Sequence, residues 1–159
     1  MIPTPRELIA KLALEPHQEG GWFRQVYKSA TEVQAPQGRR SAVTSIYYLL
    51  EQARACPWHV VESDEIWHFY HGGPCELLSY DPGTGRLVRH RLDSVGTDGV
   101  QVAVIPAGSW QAAHSLGEYT LVGCTVSPGY ENQDFRWVRE LPDYRRHFMA
   151  DMAALADFL

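Results

Sequence analysis

The sequence predicts an all-β fold, and two features of the chain carry that prediction. Across residues 22–126, short runs of β-favouring residues alternate with Gly, Pro, Asp and Ser at fairly regular intervals. No helical pattern of apolar residues interrupts this series. Many short strands without intervening helices form a sandwich, a jelly roll or a barrel, because only pairing or closing the sheets buries one face of each strand. A parallel α/β fold is therefore excluded.

The first predicted element is a short helix over residues 5–14. Thr4 can cap this helix, Pro5 suits its first position, and Glu7 completes a T-x-x-E capping box. The helix carries an apolar stripe, which consists of Leu8, Ile9 and Leu12. Pro16 is expected to end the helical segment.

The middle of the chain, about residues 20–137, is predicted to form the β-rich body. Its nine predicted strands lie near Trp22–Lys28, Ala42–Leu50, Trp58–Val61, Glu65–Tyr70, Glu76–Asp81, Leu87–Arg91, Val100–Ile105, Trp110–His114 and Tyr119–Val126. The turn residues of segment 81–85 predict a hairpin between two of these strands. An alanine-rich segment with apolar residues at helical spacing predicts a second short helix over residues 143–158.

Composition limits the class of protein. With 159 residues, 45% hydrophobic and 21% charged, residues 1–159 are expected to form one globular domain. A net charge of −5 without a long basic run argues against nucleic-acid binding. No apolar run approaches the roughly 20 residues of a membrane span, and the N-terminus lacks a signal-peptide pattern, so a cytoplasmic protein is expected. Cys56, Cys75 and Cys124 have no C-x-x-C spacing, which favours buried thiols over disulfides or a zinc knuckle.

The segment 58–72 contains the densest group of candidate functional residues. On a strand of period 2, His59 shares a face with Val61, and Glu65 shares a face with Trp67 and Phe69. A Glu65 carboxyl that faces the interior with two large aromatics would lie in an apolar pocket. Such a setting raises the pKa of a carboxyl and suits a general acid or base.

Two further places offer residues for a pocket. His17, Glu19 and Arg24 lie beside two glycines, where Arg24 could bind a carboxylate or phosphate, although a surface turn explains the block equally well. Tyr47 and Tyr48 lie on opposite faces of a strand, so one of them is expected to face the interior, with Tyr47 taken as the candidate.

Two stretches of the chain resemble the cupin motifs. The first motif, G-x5-H-x-H-x3/4-E-x6-G, is similar to the stretch that contains His59, Val61 in the place of the second histidine, and Glu65. The second motif, G-x5-P-x-G-x2-H-x3-N, is similar to residues 106–111, with Gln111 in the place of the histidine. The resemblance implies a double-stranded β-helix, which is the cupin jelly roll.

More closely, the chain resembles a family of small, functionally uncharacterised single-domain cupins. Five ordered blocks carry this resemblance across about residues 8–137, at residues 15–24, 45–50, 58–70, 106–111 and 121–129. The resemblance implies a homodimer, as in relatives that include sugar-nucleotide epimerases. It implies no particular reaction.

The resemblance also bears on metal binding. Metal-binding cupins use three histidines and one glutamate, whereas this chain keeps His59 and Glu65 and replaces the others with Val61 and Gln111. No firmly bound cofactor is therefore expected. A weakly bound divalent metal remains an alternative, with His59, Glu65 and Gln111 as its ligands.

The leading functional hypothesis is an isomerase, epimerase or lyase that acts on a small sugar or carboxylate, with Glu65 and His59 as its acid–base pair. The remaining candidates are expected to bind or orient the ligand: Gln111, Trp67, Phe69, Tyr47, Arg24 and Glu19. Two alternatives stay open. The chain could be a non-catalytic module that binds a small molecule, or an enzyme with a weakly bound divalent metal.

Overall fold

The computed structural model describes residues 3–52 and 54–146. Within these ranges the chain forms an α-helix, α1 (Pro5–Leu12), 3₁₀ helices at Asn132–Asp134 and Val138–Glu140, and a helical turn at residues 144–146. The strands are β1 (Glu15–Pro16), β2 (Trp22–Lys28), β3 (Glu32–Ala35), β4 (Gly38–Ser41), β5 (Thr44–Glu51), β6 (Cys56–Val61), β7 (Asp64–Gly72), β8 (Cys75–Asp81), β9 (Arg86–Leu92), β10 (Val102–Ile105), β11 (Trp110–Ser115), β12 (Tyr119–Ser127) and β13 (Phe135–Trp137).

The strands form two antiparallel sheets that face each other. One sheet has the order β1-β2-β5-β12-β7-β10, and the other has the order β13-β6-β11-β8-β9. Strands β3 and β4 form a separate hairpin. The prediction of an all-β jelly roll is therefore confirmed.

Each of the nine predicted strands is present, and the differences concern short segments. Strands β1, β3, β4 and β13 were not predicted, because segments of two to four residues give too little alternation to recognise. Helix α1 begins where the capping box predicts and ends at Leu12, two residues earlier than expected, since Ala13 adopts a left-handed conformation with φ 51°. Residues 144–146 of the second predicted helix are helical, and the rest of it, from residue 147 onward, lies outside the described residues.

Helix α1 packs on the outer face of the six-stranded sheet. Leu8 and Leu14 are buried there against Leu49, Tyr119 and Leu121. Within the described residues, no helix has the length and apolar character needed to span a membrane.

The space between the sheets has an apolar end and a polar end. Leu50, Leu77 and Leu92 are fully buried in the apolar part. At the other end, Val126 lies between Thr44 and Glu65 on adjacent strands, and all three side chains are buried. The strand register therefore places Glu65 at the polar end of the sheet sandwich.

Candidate functional site

A cavity of about 240 Å³ opens at the polar end of the sandwich. Its polar lining includes His17, Glu19, Thr44, Glu65 and Tyr130. Its apolar walls include Phe23, Ile46, Tyr48, Val61, Trp67 and Val126. Pockets that enclose drug-sized molecules usually measure about 300–1,000 Å³, so this cavity suits a smaller compound.

A chain of hydrogen bonds fixes the Glu65 carboxyl at the cavity wall. Trp67 donates its indole Nε1–H to Oε1 of Gln111 at 3.1 Å, and Gln111 donates from Nε2 to Oε2 of Glu65 at 2.7 Å. The indole can only donate, so it sets the orientation of the amide, and the amide must then donate to the carboxyl. Gln111 is 1% exposed and lies behind Glu65.

Burial is the main influence on the protonation of Glu65. Removal from water raises the pKa of this carboxyl above its ordinary value, and the nearby Glu19 carboxyl acts in the same direction. The charge of His59 and the hydrogen bond from Gln111 oppose part of that shift. The result is a carboxyl in an apolar wall that is easier to protonate than an exposed glutamate.

His59 is buried behind the cavity wall. Its Nδ1 lies 2.9 Å from the carbonyl oxygen of Pro57, which identifies Nδ1–H as the donor and leaves the lone pair on Nε2. Phe135 stacks on the ring with 5.3 Å between centroids, so the ring orientation is fixed. Burial lowers the pKa of His59, which favours its neutral form. Nε2 lies 3.6 Å from Oε2 of Glu19.

Glu19 reaches the cavity because of the tight turn between β1 and β2. Gly20 and Gly21 adopt φ values of 89° and 70°, and a Cβ on Gly21 would lie 2.5 Å from the carbonyl oxygen of Leu49. His17 Nδ1 accepts the backbone N–H of Glu19 at 3.1 Å. Burial raises the pKa of Glu19. The glycines of this block thus place a second buried carboxyl in the cavity wall.

Two sequence-predicted ligand residues lie on the wrong face of the six-stranded sheet. Tyr47 and Arg24 are direct neighbours in the register of β5 and β2, on the outer face, where the guanidinium lies 5.7 Å from the tyrosine ring centroid. Their places in the cavity are taken by Tyr48 and Phe23, which form the adjacent inward-facing pair. Tyr47 and Arg24 therefore do not line this cavity.

Phe69 has the expected parity but does not line the cavity. It lies four residues beyond Glu65, about 13 Å along the strand, and packs against the apolar core. Phe69 is therefore a partly buried residue packed against the core, away from this cavity. Trp67, between the two, does line the cavity.

Three groups near the predicted candidates were missed in the sequence because they resemble ordinary core or loop residues. The Cys56 thiol donates to Oε2 of Glu19 at 3.6 Å, and Cys124 lines the cavity and pairs with Trp67 in the strand register. Burial raises the pKa of both thiols well above the ordinary value. Tyr130 follows β12 and also lines the cavity. The alternation of residues along its strand places Cys124 on the inward face, and this is the sequence signal that could have identified it as a cavity residue.

The residues at the cupin metal positions do not fit a metal ion. Val61 supplies no ligand atom, and both polar atoms of the Gln111 amide are engaged, by Trp67 and by Glu65. The weak metal site expected from His59, Glu65 and Gln111 therefore loses one of its three ligands. His59 and Glu65 alone give too few ligands for a transition-metal site.

Comparisons with known proteins agree with this architecture. A family model described as Cupin superfamily (DUF985) matches residues 6–138. No curated protein matches the sequence. A hypothetical protein from Leishmania major is 28% identical, covers 97% of this chain and 99% of its own, and has a TM-score of 0.84.

Two further solved structures are similar. A protein from Shewanella oneidensis is 28% identical over 99% of this chain and 98% of its own, with a TM-score of 0.83. Oxalate decarboxylase from Bacillus subtilis is 14% identical over 91% of this chain but only 36% of its own, with a TM-score of 0.59. At that identity the last likeness extends to the fold alone.

Proposed function

This chain belongs to the cupin superfamily, in the family described as DUF985, and from that premise we propose that its cavity is the active site of an acid–base enzyme. The proposed reaction is an isomerisation, epimerisation or elimination that moves a proton at a carbon atom beside a carbonyl group. One observation carries the proposal: the buried Glu65 carboxyl lines the cavity while Gln111 holds one of its oxygens at 2.7 Å. Proton transfer needs a carboxyl that is positioned in this way.

Glu65 is proposed as the group that takes and returns the substrate proton. Its wall position brings the carboxyl into contact with a bound molecule, and the hydrogen bond from Gln111 limits its rotation. Trp67 supports the same geometry through the amide of Gln111. Gln111 and Trp67 are therefore positioning residues in this proposal.

His59 is proposed as the second proton-carrying group. The lone pair of Nε2 points toward the same interior, 3.6 Å from Oε2 of Glu19. This separation is longer than a hydrogen bond, but catalytic hydrogen bonds often shorten only when a ligand is bound. Glu19 lies between His59 and the cavity, so it is proposed to contact the ligand directly.

The charges of the lining favour a neutral, hydroxyl-bearing ligand over a carboxylate. Two buried glutamates line the cavity, and Lys28, the lysine at its edge, is paired with Glu131 at 2.7 Å. Arg24, the residue expected to bind a carboxylate, faces away. Aromatic walls and hydrogen-bonding carboxyls suit a small sugar or hydroxyketone, because such molecules have apolar faces and polar edges.

We also propose that the protein works in the cytoplasm and as a homodimer; the family resemblance supports the dimer. Sedimentation equilibrium of the purified full chain measures this directly. A dimer mass across micromolar concentrations is expected, and a monomer mass throughout that range contradicts the proposal.

Deuterium exchange tests the proposed reaction across a range of candidate substrates. The protein is incubated in D₂O with a panel of small aldoses, ketoses and hydroxyketones, and exchange at carbon is followed by NMR. The wild type is expected to accelerate exchange for at least one compound. Glu65→Gln is expected to slow it about 10²- to 10⁴-fold, because an amide cannot accept and return the proton. The amide oxygen can still accept from Gln111, so folding is expected to persist.

Glu118→Gln is the matched control, since this exposed glutamate lies outside the cavity and is expected to leave exchange unchanged. Exchange at the wild-type rate in Glu65→Gln would refute the catalytic role.

A second candidate, a non-catalytic binding module, is favoured by the satisfied Trp67–Gln111–Glu65 hydrogen bonds, since a purely structural polar network has this form. Ligand binding without exchange by the wild type would establish that alternative.

A further inference from the structure

We propose that Glu19, Cys56 and His59 form a binding site for a divalent transition metal of the zinc type. A carboxylate oxygen, a thiol sulfur and a ring nitrogen from these residues lie within 4.8 Å of one another, and all three residues are buried. The site shares only His59 with the cupin metal position. Its other two ligands come from the β1–β2 turn and the first residue of β6.

Two of the three separations between these atoms match the edges of a tetrahedral metal site. Oε2 of Glu19 lies 3.6 Å from Nε2 of His59 and 3.6 Å from Sγ of Cys56. Zinc–ligand bonds of about 2.0–2.3 Å at tetrahedral angles place neighbouring ligand atoms about 3.3–3.6 Å apart. Sγ also lies 3.6 Å from Nδ1 of His59, so a bound ion would draw the thiolate toward the Nε2 edge of the ring.

The imidazole is already held in the form that binds a metal. Nδ1–H donates to the carbonyl oxygen of Pro57 at 2.9 Å, so the lone pair lies on Nε2, the nitrogen next to Glu19. Histidines that bind metals through one nitrogen characteristically donate the other N–H to a backbone carbonyl or a carboxylate. Stacking of Phe135 fixes the plane of the ring.

The carboxylate ligand is equally constrained. The glycine turn at residues 20–21 holds Glu19 beside His59, and its backbone N–H is bound by His17 Nδ1 at 3.1 Å. Ligands supplied by rigid, supported elements lose little entropy when an ion binds. Glu19 lines the cavity, so an ion at this site is reached from the cavity.

Charge and ligand type indicate which ion fits. A thiolate and a carboxylate neutralise a divalent ion, which allows it to lie in a buried site, and both groups release their protons on binding. Sulfur and imidazole nitrogen select zinc and similar transition metals over magnesium or calcium. The site does not use Glu65, so it goes beyond the proposed proton transfer at that carboxyl. It does take the Nε2 lone pair of His59, so the metal-bound protein would transfer the proton through Glu65 without His59.

Cobalt(II) is the probe for the test, because thiolate bound to cobalt gives a charge-transfer absorption that oxygen and nitrogen ligands do not give. The full chain is freed of metal with a chelator, kept reduced, and titrated with Co²⁺ and then with Zn²⁺. We expect equimolar binding, the thiolate band, and displacement of cobalt by zinc. Cys56→Ser is expected to remove the band, whereas Cys75→Ser, a matched change at a buried thiol in the apolar core, is expected to retain it.

Glu19→Gln provides a second variant that keeps the thiol. It is expected to weaken cobalt binding more than about tenfold while the thiolate band persists at saturation, because one anionic ligand is lost. Absence of the band in the wild type would overturn the proposal, as would its persistence in Cys56→Ser. Loss of the band in Cys124→Ser but not in Cys56→Ser would also overturn it. Neither result depends on the exchange assay with Glu65→Gln.

Discussion

The substitution Gln111→Met tests the hydrogen-bond chain that positions Glu65. Methionine has a similar length but cannot replace the amide, so two buried groups lose their partner at once. These are the indole N–H of Trp67, which is 1% exposed, and Oε2 of Glu65, which is 8% exposed. The apolar volume of the core is nearly conserved, so the change acts mainly through these two groups.

The size of the effect follows from the surroundings of the two groups. An unsatisfied buried polar group costs about 1–3 kcal/mol, so two give about 2–6 kcal/mol. Both side chains line the cavity, but Glu65 is 8% exposed and can recruit water, whereas Trp67 is 1% exposed. We therefore expect a loss of about 2–4 kcal/mol in the free energy of unfolding, or about 4–16 °C in Tm for a domain of this size.

Urea unfolding followed by circular dichroism measures this loss. Gln133→Met, a change at an exposed glutamine, is the control and is expected to stay within about 0.5 kcal/mol. In a Trp67→Phe background the cost of Gln111→Met is expected to fall by about 1 kcal/mol or more, because the indole N–H is already gone. A cost below about 1 kcal/mol in the wild-type background, or full additivity of the two changes, would contradict the reasoning.

Two further pairs of substitutions test the placement of the site. Gly21→Ala is expected to lower the free energy of unfolding in urea more than Gly108→Ala. Both glycines have positive φ, but only at Gly21 would the new Cβ lie 2.5 Å from a neighbouring atom, the carbonyl oxygen of Leu49. Relief of this contact would also displace Glu19. Equal costs would show that the close approach does not matter. Tyr48→Phe is expected to lower the free energy of unfolding in urea by about 0.5–1.5 kcal/mol, because the Tyr48 hydroxyl donates to a backbone carbonyl of the β1–β2 turn at 2.9 Å. Tyr47→Phe is expected to change the free energy of unfolding by close to zero. The reverse order would contradict the inward placement of Tyr48.

The sequence was sufficient for the architecture because alternation and turn residues are local signals. Each predicted strand spans enough residues to show its period, and Thr4 and Glu7 mark the start of the helix directly. The alternation also placed Glu65 and Trp67 on one face, which is the face that lines the cavity. Strands as short as β1 and β13 contain too few residues to show an alternation of apolar and polar side chains.

The choice between Tyr47 and Tyr48 could not be made from their own strand. Both are aromatic, adjacent and equally compatible with either face, so alternation determines only that they differ. Their faces are set by pairing with β2 and β12, where Tyr48 lies opposite Phe23 and Tyr47 lies opposite Arg24. The same register places Arg24 on the outer face, so one unresolved choice of strand face put two predicted ligand residues outside the cavity.

The deeper part of the site depends on contacts between residues that are far apart in sequence. Glu19 and Cys56 are separated by 37 positions, and Gln111 and Glu65 by 46. The cupin resemblance directs attention to the motif positions, where Val61 and Gln111 suggest that a metal site has been lost. The fold instead brings a different carboxylate and a thiol to the one histidine that remains. A motif in which ligand positions have changed therefore shows that the original metal site is absent. Whether the protein can still bind a metal depends on which other side chains the fold places beside the ligands that remain.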